Sequence, residues 1–144
     1  MIYGIGIDLV EIQRIKDMEN PVKFAEKILS DSEFHLFKEK ASEMQAVFLA
    51  KQFAAKEAVV KALGTGFKEN AYPKDISILR NPEGSPKLQF SETLQEMVNN
   101  LGINSWHVSL ADERTHAIAM VVLCLLYTSP SPRDVEESRM PSSA

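Results

Sequence analysis

From Ile2 to Leu9 the chain alternates: Tyr3, Ile5, Ile7 and Leu9 fall on one face of a two-residue repeat, and Gly4, Gly6 and Asp8 on the other. That period predicts a β-strand. One face is nearly bare of side chains, so another backbone or a ligand can approach closely there, with Asp8 at the end of the cleared lane. Helical spacing follows in three short runs, Glu11 to Met18, Val22 to Leu29 and Ser32 to Lys40, interrupted at Asn20-Pro21 and Ser30-Asp31. A longer helix is predicted from Glu43 to Leu63, stopped by Gly64-Thr65-Gly66. Ile76 to Arg80 and Lys87 to Phe90 read as strands joined through the turn Asn81 to Pro86. Ser91 is placed to cap a helix reaching Leu101 and ended by Gly102, and Trp106 to Leu110 with Ala117 to Leu123 reads as a hairpin across Ala111 to His116. Short turns between strands favour antiparallel pairing. The expected fold class is therefore α+β, a mainly antiparallel sheet packed against the long central helix.

That helix carries the most information. In FLAKQFAAKEAVVKALGTG, Phe48 to Gly66, the residues Phe48, Leu49, Phe53, Val59, Val60 and Leu63 cover one wide arc. Ala50, Ala54, Ala58 and Ala62 form a second stripe at i, i+4 spacing, a small-residue seam against which another element can pack closely. Glu57 and Lys61 stand side by side between the two. If exposed they are a helix ion pair worth roughly 0.3 to 0.5 kcal/mol. On a helix wrapped on both sides, a carboxylate instead needs a cation or several donors. From Leu49 to Lys68 the lysines Lys51, Lys56, Lys61 and Lys68 face Glu57 alone, a local charge of +3 that suits phosphate oxygens or a solvated charged face.

Composition narrows the classes. With 144 residues, 44% of them hydrophobic, the chain can bury a core of its own without metal or disulfide staples. Its net charge of −4 argues against sequence-blind binding to nucleic acid or an anionic membrane, which needs a basic footprint. One cysteine, Cys124, excludes an internal disulfide and a cysteine-rich zinc site. The N-terminal residues lack the basic region of a signal peptide. The most apolar run, Ala117 to Tyr127, is far short of the roughly 20 residues of a membrane span. These features point to a cytoplasmic protein. After Leu123 the chain becomes CLLYTSPSPRDVEESRMPSSA, without apolar period. Residues 1–123 are expected to form the domain and 124–144 a disordered tail whose composition also fits a non-native extension.

Several motifs have simple readings. Gly4-Ile5-Gly6 is not a dinucleotide fingerprint, because its third glycine position falls on Leu9. Asp8, with Glu11 three residues on, can cap the following helix or serve as a metal-binding carboxylate. His107 and Ser109 share the strand face opposite Trp106, Val108 and Leu110. Neither His35 nor His116 stands at metal-ligand spacing to His107, and Ser109 lacks the context of an acyl-transfer nucleophile.

Taken in order over Met1 to about Leu123, GIGIDLVEIQRI, FLAKQFAAKEAVVKALGTG and WHVSLADERTHAIAMVVL resemble the holo-acyl-carrier-protein synthase type of 4′-phosphopantetheinyl transferase. The resemblance implies transfer of 4′-phosphopantetheine from coenzyme A to a serine of apo acyl carrier protein, in fatty acid biosynthesis, with release of adenosine 3′,5′-bisphosphate. It also implies Mg²⁺ and a homotrimer with sites between neighbours. Carried over by motif, Asp8 and Glu57 are the metal-binding carboxylates, and with Lys61 the catalytic residues; Lys56, Lys61, Gly64 and His107 belong to the coenzyme A site. The proton of the serine goes to Glu57, directly or through water, or to Lys61. Because the implied carrier is acidic, Arg14 and Lys23 on the early helices are the expected docking residues. Gln52 departs from the family, which often has Arg there. Two rival readings share these residues: a non-catalytic nucleotide- or carrier-binding module, and a Mg²⁺-dependent phosphohydrolase.

Overall fold

The computed structural model describes residues 1–125. β1 (Ile2–Glu11) leads into four helices, α1 (Ile12–Lys16), α2 (Pro21–Ile28), α3 (Asp31–Glu39) and α4 (Ser42–Leu63). The hairpin β2 (Ile76–Arg80) and β3 (Pro86–Phe90), helix α5 (Glu92–Asn100) and the hairpin β4 (Ile103–Asp112) and β5 (His116–Leu125) follow. The class is α+β with antiparallel pairing throughout, divided into a three-stranded sheet in the order β1-β5-β4 and a separate β2-β3 pair. β5 runs on through Cys124 and Leu125, past the expected boundary at Leu123. The rest of the expected tail, 126–144, lies outside the described residues.

Local chemistry sets the helix ends. The Asn20 side chain accepts from the Lys23 N–H with Pro21 in the first turn, and Ser91 accepts from Leu94 N–H at the start of α5. Ser30 and Glu33 form a reciprocal capping box on α3. α4 ends at Gly64 in the left-handed region, φ 80°. The cap reading of Asp8 is overturned. β1 stays paired with β5 as far as Glu11 opposite His116, so Asp8 lies inside the strand, and Glu11 precedes α1 without a side-chain cap.

The packing of β1 runs opposite to what hydrophobicity alone would choose. Gly4 and Gly6 face α4, where a methyl group on Gly4 would overlap the backbone of Ala62, and one on Gly6 the backbone of Ala58 and Ala62. Strand and helix therefore meet backbone to backbone along the alanine seam, a distance only these residues permit. The alternate residues must then point away: Ile5, Ile7 and Leu9 are 54%, 55% and 60% exposed. Register extends this bare face across the sheet in rows, Ile5–Val122–His107, Ile7–Met120–Ser109 and Leu9–Ile118–Ala111. Ala117, Ala119, Val121 and Leu123 fill the helix-facing side and are fully buried.

A second, polar core ties α3, α4 and β2. The carboxylate of Glu33 is buried and accepts from Lys56 Nζ at 2.6 Å, Gln52 Nε2 at 2.6 Å, the Ile78 N–H at 3.1 Å and the Ser30 N–H at 3.0 Å. Among the described residues no buried side-chain nitrogen or oxygen lacks a partner. No helix among them is long and apolar enough to cross a membrane.

The glycine contact gives a direct test. Gly6→Ala is expected to force β1 off α4 and to lower stability by roughly 3 kcal/mol or more, in the range of severe overpacking. Urea unfolding measures it; a midpoint equal to that of the unaltered chain would show that the close approach is not needed.

Candidate active site

Asp8, Glu57 and Lys61 come together where β1 crosses α4. Glu57 and Lys61 project from one side of the helix a turn apart, and Asp8 arrives from the glycine face of the strand, two residues beyond Gly6. Lys61 Nζ donates to Asp8 Oδ1 at 2.9 Å and to the Ile7 carbonyl at 3.0 Å. The Lys61 side chain is 52% exposed and that of Asp8 16%, so the ammonium sits at the mouth and the carboxylate within. Partial burial, and after it the charge of Asp8, push the Glu57 carboxyl above its usual 4.5 although Lys61 opposes them. Lys61 is pushed above its usual 10.5, chiefly by its hydrogen bond to Asp8.

Beside Glu57 opens a groove of about 590 Å³. Phe24, Phe53, Phe67 and Tyr72 give it aromatic walls, and Lys27 and Lys74 add positive charge. The cluster can neutralise a cation, take a proton and hold an anion next to an elongated, partly apolar ligand.

The donor set fits a hard divalent ion. Partial burial and the neighbouring Asp8 charge together hold the Glu57 pKa up, and the nearest balancing charge is the half-exposed Lys61 ammonium. Among the described residues no group of three or more His, Cys, Asp or Glu side chains is arranged to hold a metal. Two carboxylates with ligand phosphates and water are the pattern of Mg²⁺ rather than of an all-protein cage.

Other expected site residues fall elsewhere. Lys56 is a correction: its side chain is 0% exposed, and its ammonium donates to Glu33, to the Pro73 carbonyl at 2.9 Å and to the Ile76 carbonyl. Three protons meet three acceptors, which leaves none for a phosphate. Burial pushes its pKa down, with Glu33 acting against that. Gly64 offers no free amide to an anion. Its N–H donates to the Val60 carbonyl at 3.0 Å and that of Thr65 to the same oxygen at 3.1 Å, so these amides close the helix end instead of cradling an anion. The negative end of the helix dipole also lies there. His107 is on the bare face of the sheet, with β5 between its strand and β1. It lines a separate recess of about 290 Å³ with Asn81, Pro86, Lys87 and Trp106, and one chain does not bring it to Asp8. Arg14 and Lys23 are exposed on α1 and α2. Lys51 pairs with Asp112 at 3.0 Å, so the basic run counted along α4 is divided among three surroundings. Gln52 is buried, bonded to Glu33 and to the Ile78 carbonyl at 2.9 Å, which puts the departure from Arg in the core.

Sequence reasoning missed Glu33. Its signal was the spacing Ser30-x-x-Glu33 ahead of an apolar helix, a capping box that here also receives a lysine.

Comparison with known proteins shows what the chain is similar to. Residues 4–121 match the family model described as the 4′-phosphopantetheinyl transferase superfamily. The holo-[acyl-carrier-protein] synthase of Vibrio cholerae is 42% identical over 125 residues, covering 85% of this chain and 98% of that relative. The crystal structure of the Neisseria meningitidis holo-[acyl-carrier-protein] synthase superposes with a TM-score of 0.78 at 34% identity, over 85% of this chain and 98% of that one. The Bacillus anthracis synthase, crystallised in complex with coenzyme A (3′,5′-ADP), gives 0.73 at 36% identity, over 85% and 96%.

The raised pKa of Glu57 predicts a pH-dependent stability. The folded state binds the Glu57 proton more tightly than the unfolded state, so stability declines as pH rises from about 4.5 through the higher folded value. Glu57→Gln should therefore melt at a higher temperature than the unaltered protein at pH 7 and at an equal one near pH 4. Calorimetry at both pH values decides, and a lower melting temperature at pH 7 would contradict it.

Proposed function

The chain belongs to the 4′-phosphopantetheinyl transferase superfamily, and we propose from that premise that it transfers 4′-phosphopantetheine from coenzyme A to a serine of apo acyl carrier protein, as a holo-[acyl-carrier-protein] synthase. The observation that carries this reading is the meeting of Asp8, Glu57 and Lys61 beside an aromatic groove, in a chain that matches such synthases over 85% of its length.

In the reaction the serine Oγ attacks the phosphorus that bears pantetheine. The bond from that phosphorus to the bridging oxygen breaks, adenosine 3′,5′-bisphosphate leaves, and the serine proton passes to a base. Lys61 is poorly suited to that role, because the hydrogen bond to Asp8 keeps it protonated; it suits the negative charge of the leaving bisphosphate. Glu57, one helical turn from Lys61 and lining the groove, is the proposed acceptor, directly or through a water. Asp8 and Glu57 would hold Mg²⁺, which when bound supplies neutralising charge at the pyrophosphate. Arg14, exposed on α1, and Lys23, exposed on α2 whose Phe24, Lys27 and Ile28 line the groove, are the proposed contacts for an acidic carrier.

The bare face of the three-stranded sheet supports a homotrimer in which neighbours cover Ile5, Ile7 and Leu9. It also gives His107 a role. The recess beside His107 and the Asp8 cluster form two half-sites for coenzyme A, joined when one subunit packs on the next. Coenzyme A and carrier as substrates, and a free Cys124, suit cytoplasmic fatty acid biosynthesis.

Incubation with coenzyme A, Mg²⁺ and apo carrier tests the reading by mass. The carrier should gain phosphopantetheine; loss of coenzyme A without that gain would mark a phosphohydrolase, and neither change a binding module. Asp8→Asn and Glu57→Gln should each cut transfer by at least about 100-fold while staying folded, and near-normal turnover in either would overturn the metal assignment. In the same assay Arg14→Glu should raise the Michaelis constant for carrier several-fold and leave that for coenzyme A unchanged; the reverse would assign Arg14 to the nucleotide.

A further inference from the structure

Lys56 precedes Glu57 on α4 but points into the protein, where its three donors reach three separate places. One is Glu33 on α3 at 2.6 Å; the others are the carbonyls of Pro73 at 2.9 Å and of Ile76. Those carbonyls bracket a single 3₁₀ turn, Pro73–Asp75. The same stretch supplies Tyr72, Pro73, Lys74 and Asp75 to the groove, facing Phe53 and Glu57 from α4.

We propose that Lys56 is a positioning residue for the transfer, clipping the Tyr72–Asp75 turn to α4 and so fixing the outer wall of the groove next to Glu57. The inference rests on the transferase reading. Asp75 fixes the turn to itself and to the start of α5, accepting from the Tyr72 N–H at 2.9 Å and from Ser91 Oγ at 2.8 Å. Among the described residues Lys56 is the side chain of α4 that bonds the backbone at this turn. Glu33 cannot follow a displaced ammonium, because Ser30, Gln52 and Ile78 hold its carboxylate from other sides.

Stability alone does not account for a charge in this position. A buried ion pair contributes little over well-packed apolar residues of the same volume, since desolvation offsets the attraction. Directed bonds are what an apolar side chain cannot supply. A methionine at position 56 would fill the space and leave the turn free to shift against Phe53 and Glu57.

The test compares the unaltered protein with Lys56→Met and with the double variant Lys56→Met/Glu33→Gln, which removes both charges and leaves no carboxylate buried without its cation. Hydrogen exchange and steady-state kinetics are measured well below the melting temperature. In the folded double variant, exchange should accelerate at the Asp75 and Ile76 amides and stay unchanged in β1 and β5. The Michaelis constant for coenzyme A or carrier should rise at least about fivefold with kcat within about threefold. Kinetic constants equal to those of the unaltered enzyme in a folded double variant, or faster exchange spread evenly over the chain, would overturn the proposal. If the unaltered chain transfers nothing, the transferase reading fails, while the exchange pattern still decides whether Lys56 holds the wall.

Discussion

The backbone contact between β1 and α4 is the constraint from which the rest of the structure follows. Gly4 and Gly6 on the strand and Ala58 and Ala62 on the helix remove the side chains that would hold the two apart. Glycine inside a strand costs about 0.5 to 1 kcal/mol relative to alanine, but here alanine would collide with backbone, which is worse. Two consequences come with the approach. Asp8 is carried to within a hydrogen bond of Lys61 and into the field of Glu57, and the large residues of the strand are turned out to the opposite face.

The site this creates is electrostatically unfinished. Lys61 pairs with Asp8, and Glu57 is left partly buried beside the Asp8 charge, which together raise its pKa. Such a cluster costs stability at neutral pH and gains it back from an added cation or a protonated ligand. Lys56 and Lys61 show how far surroundings decide the role of a residue type. On one helix, five positions apart, one is a fully engaged internal clip with its pKa pushed down, and the other a surface cation with its pKa pushed up.

Much of this could be read from the sequence, for physical reasons. Period-two alternation and turn residues located every strand, and Asn20-Pro21, Ser30, Gly64 and Ser91 marked helix ends because capping is local chemistry. Glu57 and Lys61 were legible because i, i+4 spacing sets them side by side between two packed stripes of the helix; the glycine lane then pointed to Asp8. What failed depended on contacts distant in the chain. Hydrophobicity does not say which face of β1 is buried, because the answer lies in the space that α4 demands. Counting lysines along a helix credits Lys56 to a phosphate patch, since only the fold shows that Glu33, Pro73 and Ile76 surround it. Gly64 was read as a helix stop and, by resemblance, as part of the coenzyme A site; the hydrogen bonds of its own turn account for the first. His107 was singled out by motif, yet its strand is separated from β1 by β5, a distance set by strand order.

The proposed function joins these threads through the bare sheet face. If subunits pack there, the cluster of one and the His107 recess of the next complete a site that neither holds alone. Subunit complementation tests that most directly. Asp8→Asn and His107→Ala, each of low activity alone, are unfolded together in equal amounts and refolded as mixed assemblies. The account predicts recovery of about a quarter of wild-type transfer, the share of interfaces that receive both intact halves when neighbours assort at random. Mixed assemblies that stay as inactive as their parents, or full activity in His107→Ala by itself, would contradict it.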